Sequence, residues 1–272
     1  MKLKESVKDV LLAVAAMTIS LVIYRIVGKL FTEKIESDII SGFVGELFLA
    51  VPALLSAILL KKTDIFKTDS SKLKSGWPSA GVFYVIIAFF GFLSLGSLLQ
   101  PEVPFYEVLL FFGFMFLVGF AEEILFRGLI QNAFHKYFKE DSLLHVCLAI
   151  LCTGLIFGLT HLTNALRQDV SFSAALIQSI VNIANGMYLG AIYFRTGKNL
   201  WFLIAIHALY DGVGMIANGI LSNSATTSSI LNNSDRGGWM TVAVWLTVYL
   251  AAFAFVMRPK KTDPLLKKEI EN

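Results

Sequence analysis

Long apolar runs recur down the chain, separated by short polar or Gly/Pro-containing stretches. The runs at 9–29, 39–60, 80–100, 106–136, 143–165, 172–194, 199–219 and 239–257 can each cross a hydrocarbon core about 30 Å thick. A backbone at that depth has no water to bond, so each run must satisfy its own N–H and C=O groups as a helix. The pattern predicts an all-α polytopic membrane protein of about eight transmembrane helices. It forms a single membrane domain over 1–272, with no soluble domain, repeat or low-complexity tract. Residues 1–20 look like a signal peptide, with Lys2, Lys4 and Lys8 ahead of an apolar stretch. Further spans follow at once, so this segment reads as an uncleaved first helix.

Composition sharpens the picture. Hydrophobic residues make up 56% of the chain and charged residues 16%, against about a quarter charged in soluble domains. The net charge of +3 gives no reason to expect a nucleic-acid partner. Placement of the charges says more. With eight spans, 18 of the 23 Lys and Arg residues fall on the side of the N-terminus and five on the other. The five are Arg25, Lys29, Lys34, Arg167 and Arg236. That asymmetry predicts cytoplasmic termini. The basic segments 61–74 and 258–268 are then expected to meet anionic headgroups of membrane lipids. Cys147 and Cys152 lie five apart in one helix, so their side chains diverge and a mutual disulfide is not expected.

Several residues do not belong in lipid. The fourth span contains Ala121-Glu122-Glu123-Ile124-Leu125-Phe126-Arg127-Gly128. Two carboxylates and a guanidinium at that depth cost several kcal/mol unless paired or hydrated. Glu123 and Arg127 are four apart and share a helix face, so they can pair. Glu122 is rotated by about 100° and faces elsewhere, free for other work. The fifth span carries Phe157 and His161, the seventh His207 and Asp211, again at i, i+4. Glu122, His161, His207 and Asp211 together supply a general base and electrophilic partners. Helix four must run on to about Tyr137 for Glu122 and His161 to meet on antiparallel helices; a short helix would separate them in depth. Gln178, Asn182 and Asn185 share a face of span six, where they either line a wet cavity or bond between helices. Gly154 with Gly158 and Gly186 with Gly190 are small-xxx-small pairs suited to close packing. Glu46, in span two, is a further intramembrane acid without a motif to place it.

Glu122-Glu123-xxx-Arg127, Phe157-xxx-His161 and His207-xxx-Asp211, in order on separate helices, resemble the CAAX protease and bacteriocin-processing (CPBP, or Abi) family of intramembrane glutamic endopeptidases. The resemblance covers roughly Tyr106 to Asn218, making 106–218 (helices four to seven) the expected catalytic core. It implies a peptidase in which Glu122 activates a water with help from His161, while His207 and Asp211 stabilise the oxyanion. Glu123, Arg127, Phe157, Asn182 and Asn185 would support them. No cofactor is expected, with zinc as the lesser alternative, since there is no H-E-x-x-H motif. Many members, the prenyl-protein proteases included, carry Asn where this chain has Asp211. An ionised Asp can only accept, so Asp211 must be protonated or must orient His207 as the donor.

The implied substrate is a hydrophobic or lipid-anchored peptide, and the implied location a bacterial cytoplasmic membrane. The sequence leaves substrate identity and oligomeric state open. Two rivals remain at this stage. One is a non-catalytic scaffold or bacteriocin self-immunity protein using the charged cluster structurally; the other is a transporter relaying protons, which would call for repeats and broken helices. The topology is directly testable. A fluorescent protein fused after Asn272 should fluoresce, and alkaline phosphatase fused there should stay inactive; the opposite pair of readings would reject cytoplasmic termini.

Overall fold

The structure, a computed structural model, describes residues 2–260. The tail lysines Lys261, Lys267 and Lys268, and the side chains of Lys2 and Arg236, lie outside the described residues. The described chain is helical with no β-strand, and eight helices are long and apolar enough to span a membrane. They are α1 (Lys4–Thr32), α2 (Asp38–Leu59), α3 (Ser70–Leu93), α4 (Phe105–Phe138), α5 (Leu143–Leu166), α6 (Phe172–Arg195), α7 (Leu200–Ala217) and α8 (Thr227–Val256, apolar from Gly237).

The helices start where side chains can cap them. Ser37, Ser142, Ser171 and Asn199 each accept from a backbone N–H three residues on, satisfying donors that the helix cannot. Two spans depart from the hydropathy pattern. α3 begins ten residues before its apolar run, because Asp69 caps a polar first turn by accepting from the amides of Ser71 and Lys72. The Ser71 hydroxyl adds a third bond, and together these hold the Asp69 carboxyl below the usual carboxylate range. α8 begins at Thr227 and kinks at Gly238, whose φ of 51° only glycine adopts without strain.

α4 and α6 are the inner helices. In their apolar windows 50% and 61% of residues are buried, against 17–39% in the other six. α6 packs along α5 and α8; α4 packs along α2 and α7, and α7 also meets α3. α6 is the least apolar span, with a mean hydropathy of 1.3, yet it is the most buried. Its neighbours are protein rather than lipid, so its polar residues face partners. The outward surfaces carry Leu59, Val85, Phe92 and Leu99, all strongly exposed, as a lipid-facing ring requires.

α4 runs unbroken to Phe138, so the antiparallel α4–α5 hairpin that would bring Glu122 and His161 together is present. Within it Ile124–Gln131 is a π-helical stretch in which all eight residues are buried. Such widened turns are rare and concentrate at functional sites. At the hairpin tip Lys139 and Glu140 have positive φ, and Lys198 Nζ donates to Glu140 (2.7 Å), tying the tip to the start of α7. Both cysteines are free thiols.

The glycine pairs do what their spacing implies. A Cβ on Gly158 would stand 2.6 Å from the backbone N of Ile183 and the backbone O of Ser179. One on Gly186 would stand 2.7 Å from Phe157 Cδ1. α5 and α6 are therefore interlocked at backbone distance. Gly158→Val should cost at least the ~1–3 kcal/mol typical of overpacking, read as a lowered Tm in detergent. An unchanged Tm would contradict this packing.

Candidate active site

The site assembles where the π-helical stretch of α4 meets α5, α6 and α7. Glu122 and Glu123 are the last two residues of the regular part of α4, immediately before the widened turn. Glu123 and Arg127 are fully buried and paired, Arg127 Nη1 donating to Glu123 Oε1 (2.9 Å). Arg127 Nη2 donates to the Gly186 carbonyl on α6 (3.1 Å). One turn on, Gln131 Nε2 donates to the Gly190 carbonyl (3.0 Å), and Asn132 Nδ2 to the Tyr193 hydroxyl (3.0 Å). These side chains form a polar seam between α4 and α6, possible because glycine leaves the α6 carbonyls uncovered.

His207, on α7, joins the same pair. Its Nδ1–H donates to Glu123 Oε1 (2.6 Å), while Nε2 lies 3.3 Å from Asp211 Oδ2 and 3.6 Å from Glu122 Oε2. The imidazole is 3% exposed and meets three carboxylates. The sequence suggested Glu123 as a partner for Arg127 alone; the tie from His207 to Glu123, across 84 positions, is new.

Phe157 stands at the centre of the aromatic contacts. The Arg127 guanidinium lies 4.6 Å from its ring centroid, a favourable cation–π contact. The His161 ring meets it edge-on at 4.8 Å and the His207 ring at 6.3 Å. His161 sits where the α-helical part of α5 tightens into a 3₁₀ turn. Its Nδ1–H donates to the Phe157 carbonyl (2.9 Å), which fixes the neutral ring as the tautomer with an unprotonated Nε2.

The four residues read as catalytic differ in access. The side chain of Glu122 is 19% exposed and that of Asp211 31%, whereas His207 is 3% exposed; the supporting pair Glu123 and Arg127 is sealed. Asn185 Nδ2 donates to Asn182 Oδ1 (3.3 Å) within α6, and Gln178 accepts from Asn164 Nδ2 on α5 (2.7 Å). Of the three α6 amides, Gln178 thus bonds between helices, and Asn182 and Asn185 bond to each other. Although His207 meets three carboxylates, among the described residues no group of three or more His, Cys, Asp or Glu side chains has the arrangement to hold a metal ion.

Sequence reasoning missed the Gly186 and Gly190 carbonyls, since a backbone acceptor has no signature beyond the small residue that uncovers it. It also counted Arg25 as a topology marker, although Arg25 bonds Thr163 (3.0 Å) and Asn164 (2.6 Å) just after His161. A charge inside an apolar run was the available signal.

Removing Arg127 would leave Glu123 buried without its cation. Arg127→Met should therefore lose ~3–5 kcal/mol of stability, and the protein should fail to accumulate or should unfold at much lower temperature. Asp211→Asn, at a partly exposed position, should leave the Tm within a few degrees of wild type. Equal Tm values for Arg127→Met and wild type would contradict a structural role for the pair.

Residues 104–213 match the model of the family described as type II CAAX prenyl endopeptidase Rce1-like. No curated protein matches the chain, and no solved structure does. The matched segment contains Glu122, Glu123, Arg127, Phe157, His161, His207 and Asp211, and it lies in a chain with eight helices able to span a membrane. Through this segment, about two fifths of its length, the chain is similar to type II CAAX prenyl endopeptidases of the Rce1-like family.

Proposed function

We propose that the protein hydrolyses a peptide bond in a hydrophobic or lipid-anchored peptide at the membrane, using a water activated by Glu122. The observation that carries this reading is the division of labour within the acidic pair. Glu123 is fully buried and held by Arg127 and His207, whereas Glu122 keeps an accessible carboxylate facing His207. A purely structural cluster has no need of the second, partly exposed acid.

In this mechanism Glu122 takes a proton from water as the oxygen attacks the carbonyl carbon of the scissile bond. His161 Nε2, its lone pair directed by the Nδ1–H bond to Phe157, accepts from the same water and orients it. The C=O π bond breaks as the new C–O bond forms, and His207 Nε2–H stabilises the oxyanion. Asp211, 3.3 Å from Nε2, orients His207 rather than donating itself. When the C–N bond breaks, Glu122 returns its proton to the leaving amine. Each of these groups has its own position on α4, α5 or α7, and bonds that do not involve substrate hold His161 and His207, as preorganised catalysis requires.

The charge asymmetry supports a cytoplasmic-membrane location with both termini in the cytosol. The family description supports CAAX-type or other membrane-associated peptides as the substrate class.

The test is cleavage of a membrane-peptide library by purified protein in liposomes. Glu122→Gln and His161→Ala should each lose at least ~10²-fold in rate with unchanged Tm, and a chelator should leave the wild-type rate unaltered. Wild-type rates in the Glu122→Gln variant would reject the mechanism. Loss to a chelator with recovery on adding zinc would move these residues to metal ligation.

A further inference from the structure

A cavity of about 630 Å³ opens at the end of the bundle that carries the N-terminus, and none of the residues assigned to catalysis lines it. Its size falls within the roughly 300–1,000 Å³ of small-ligand sites. The walls come from α1, the α2–α3 connection, the second half of α4 and the α6–α7 turn. Along α4 it reaches from Lys136 to Gly128, about 12 Å at 1.5 Å per residue. Its inner end therefore meets the π-helical stretch. Ala133 and Tyr193 are buried and close the floor, while Lys67 and Lys139 are exposed at the rim.

Five lysines, Lys62, Lys67, Lys136, Lys139 and Lys198, line this cavity against three acids, Asp9, Asp64 and Glu140. Two of the acids hold lysines in place. Asp9 Oδ2 accepts from Lys136 Nζ (2.7 Å) and lies 3.9 Å from Lys62 Nζ. Glu140 Oε2 accepts from Lys198 Nζ (2.7 Å) and stands 3.8 Å from His135 Nδ1. The anchored lysines remain reachable, with side chains 45%, 52% and 35% exposed for Lys62, Lys136 and Lys198. Lys67 and Lys139 pair with no carboxylate among the described residues, and Asp64, also unpaired, offsets one of them at most.

A cleft lined by an excess of one charge draws the opposite ion, and ammonium groups are phosphate binders. Leu12, Leu60 and Leu129 set an apolar wall beside the lysines, and α1, with 22% of its apolar window buried, is largely open to lipid. An amphiphile with a phosphate head suits both surfaces. We infer that this cavity binds the phosphate of an anionic phospholipid headgroup, with Lys67 and Lys139 as its free cations and the tethered Lys62, Lys136 and Lys198 completing the cradle. The site is narrower than a general attraction of basic segments to lipid, because Lys61, Lys72 and Lys74 of segment 61–74 stay outside it. A soluble phosphate ester has the same head chemistry without the acyl chains. The assignment does not depend on peptide cleavage.

The full chain, purified in a neutral detergent, is titrated with dioctanoyl phosphatidylglycerol, dioctanoyl phosphatidylcholine or glycerophosphate while its Tm is followed by tryptophan fluorescence. Phosphatidylglycerol should raise the Tm with a saturating dose response, as a ligand of the folded state does. Phosphatidylcholine and glycerophosphate should not do so at the same concentrations. Lys67→Gln combined with Lys139→Asn should keep the wild-type Tm without lipid, because neither lysine is paired and asparagine tolerates the φ of 76° at position 139. The same double variant should need about thirtyfold more phosphatidylglycerol for the same shift. Lys8→Gln combined with Lys74→Gln removes equal charge outside the cavity and should respond like wild type. A rise with glycerophosphate equal to that with phosphatidylglycerol would keep the phosphate site and overturn the lipid source. No rise with either, or the same weakening in both double variants, would reject the site.

Discussion

Everything at the centre of this protein depends on how one guanidinium is held away from water. Arg127 has no exposure at all, and in a bilayer-spanning helix an unpaired charge there would be prohibitive. Its charge is answered on three sides: Glu123 on its own helix, the Gly186 carbonyl on α6 and the Phe157 ring on α5. His207 then completes Glu123 from α7. Four helices are thus fixed to one another by a single ion pair and its neighbours. Buried pairs of this kind are weak sources of net stability; what this one supplies is register, because no sliding of α4 against α6 keeps Arg127 on Gly186.

That register sets the chemistry. The seam from Arg127 through Gln131 to Asn132 orients α4, and the acid just before the seam, Glu122, is turned to the side where His207 Nε2 and Asp211 stand. The widened turn begins immediately after the two acids. Phe157 serves two purposes at once: its ring carries Arg127, and its carbonyl fixes the tautomer of His161. A single core aromatic therefore links the buried ion pair to His161. The division between sealed Glu123 and reachable Glu122 follows from adjacent positions on a helix pointing about 100° apart.

Much of this was legible in the chain. The span boundaries followed from hydropathy, because lipid imposes helix on any long apolar run. They failed where polar turns extend a helix, at Ser70 and Thr227, since caps and first turns carry no hydrophobic signal. The pairing of Glu123 with Arg127 followed from helical spacing, and the close approach of α5 and α6 from the glycine pairs. Other contacts were illegible for definite reasons. The π-helical geometry of 124–131 leaves no mark in the spacing of apolar residues. The bond from His207 to Glu123 joins residues remote in sequence, and periodicity reports only neighbours within one helix. The bonds from Arg25 on α1 to Thr163 and Asn164 on α5 likewise join residues remote in sequence.

The low hydropathy of α6 has a consequence for how the molecule is made. With Gln178, Asn182 and Asn185 near its middle, this helix gains little from lipid by itself, and polar side chains at mid-span oppose insertion one helix at a time. Its partners are α5, joined to it by the short segment between Leu166 and Phe172, and α8, which is synthesised after both. α6 thus enters the bilayer most favourably as one arm of a hairpin already zipped to α5 along the glycine faces. During synthesis its other face waits until α8 arrives to cover it. Biogenesis of this protein is therefore a matter of assembly order as much as of hydrophobicity.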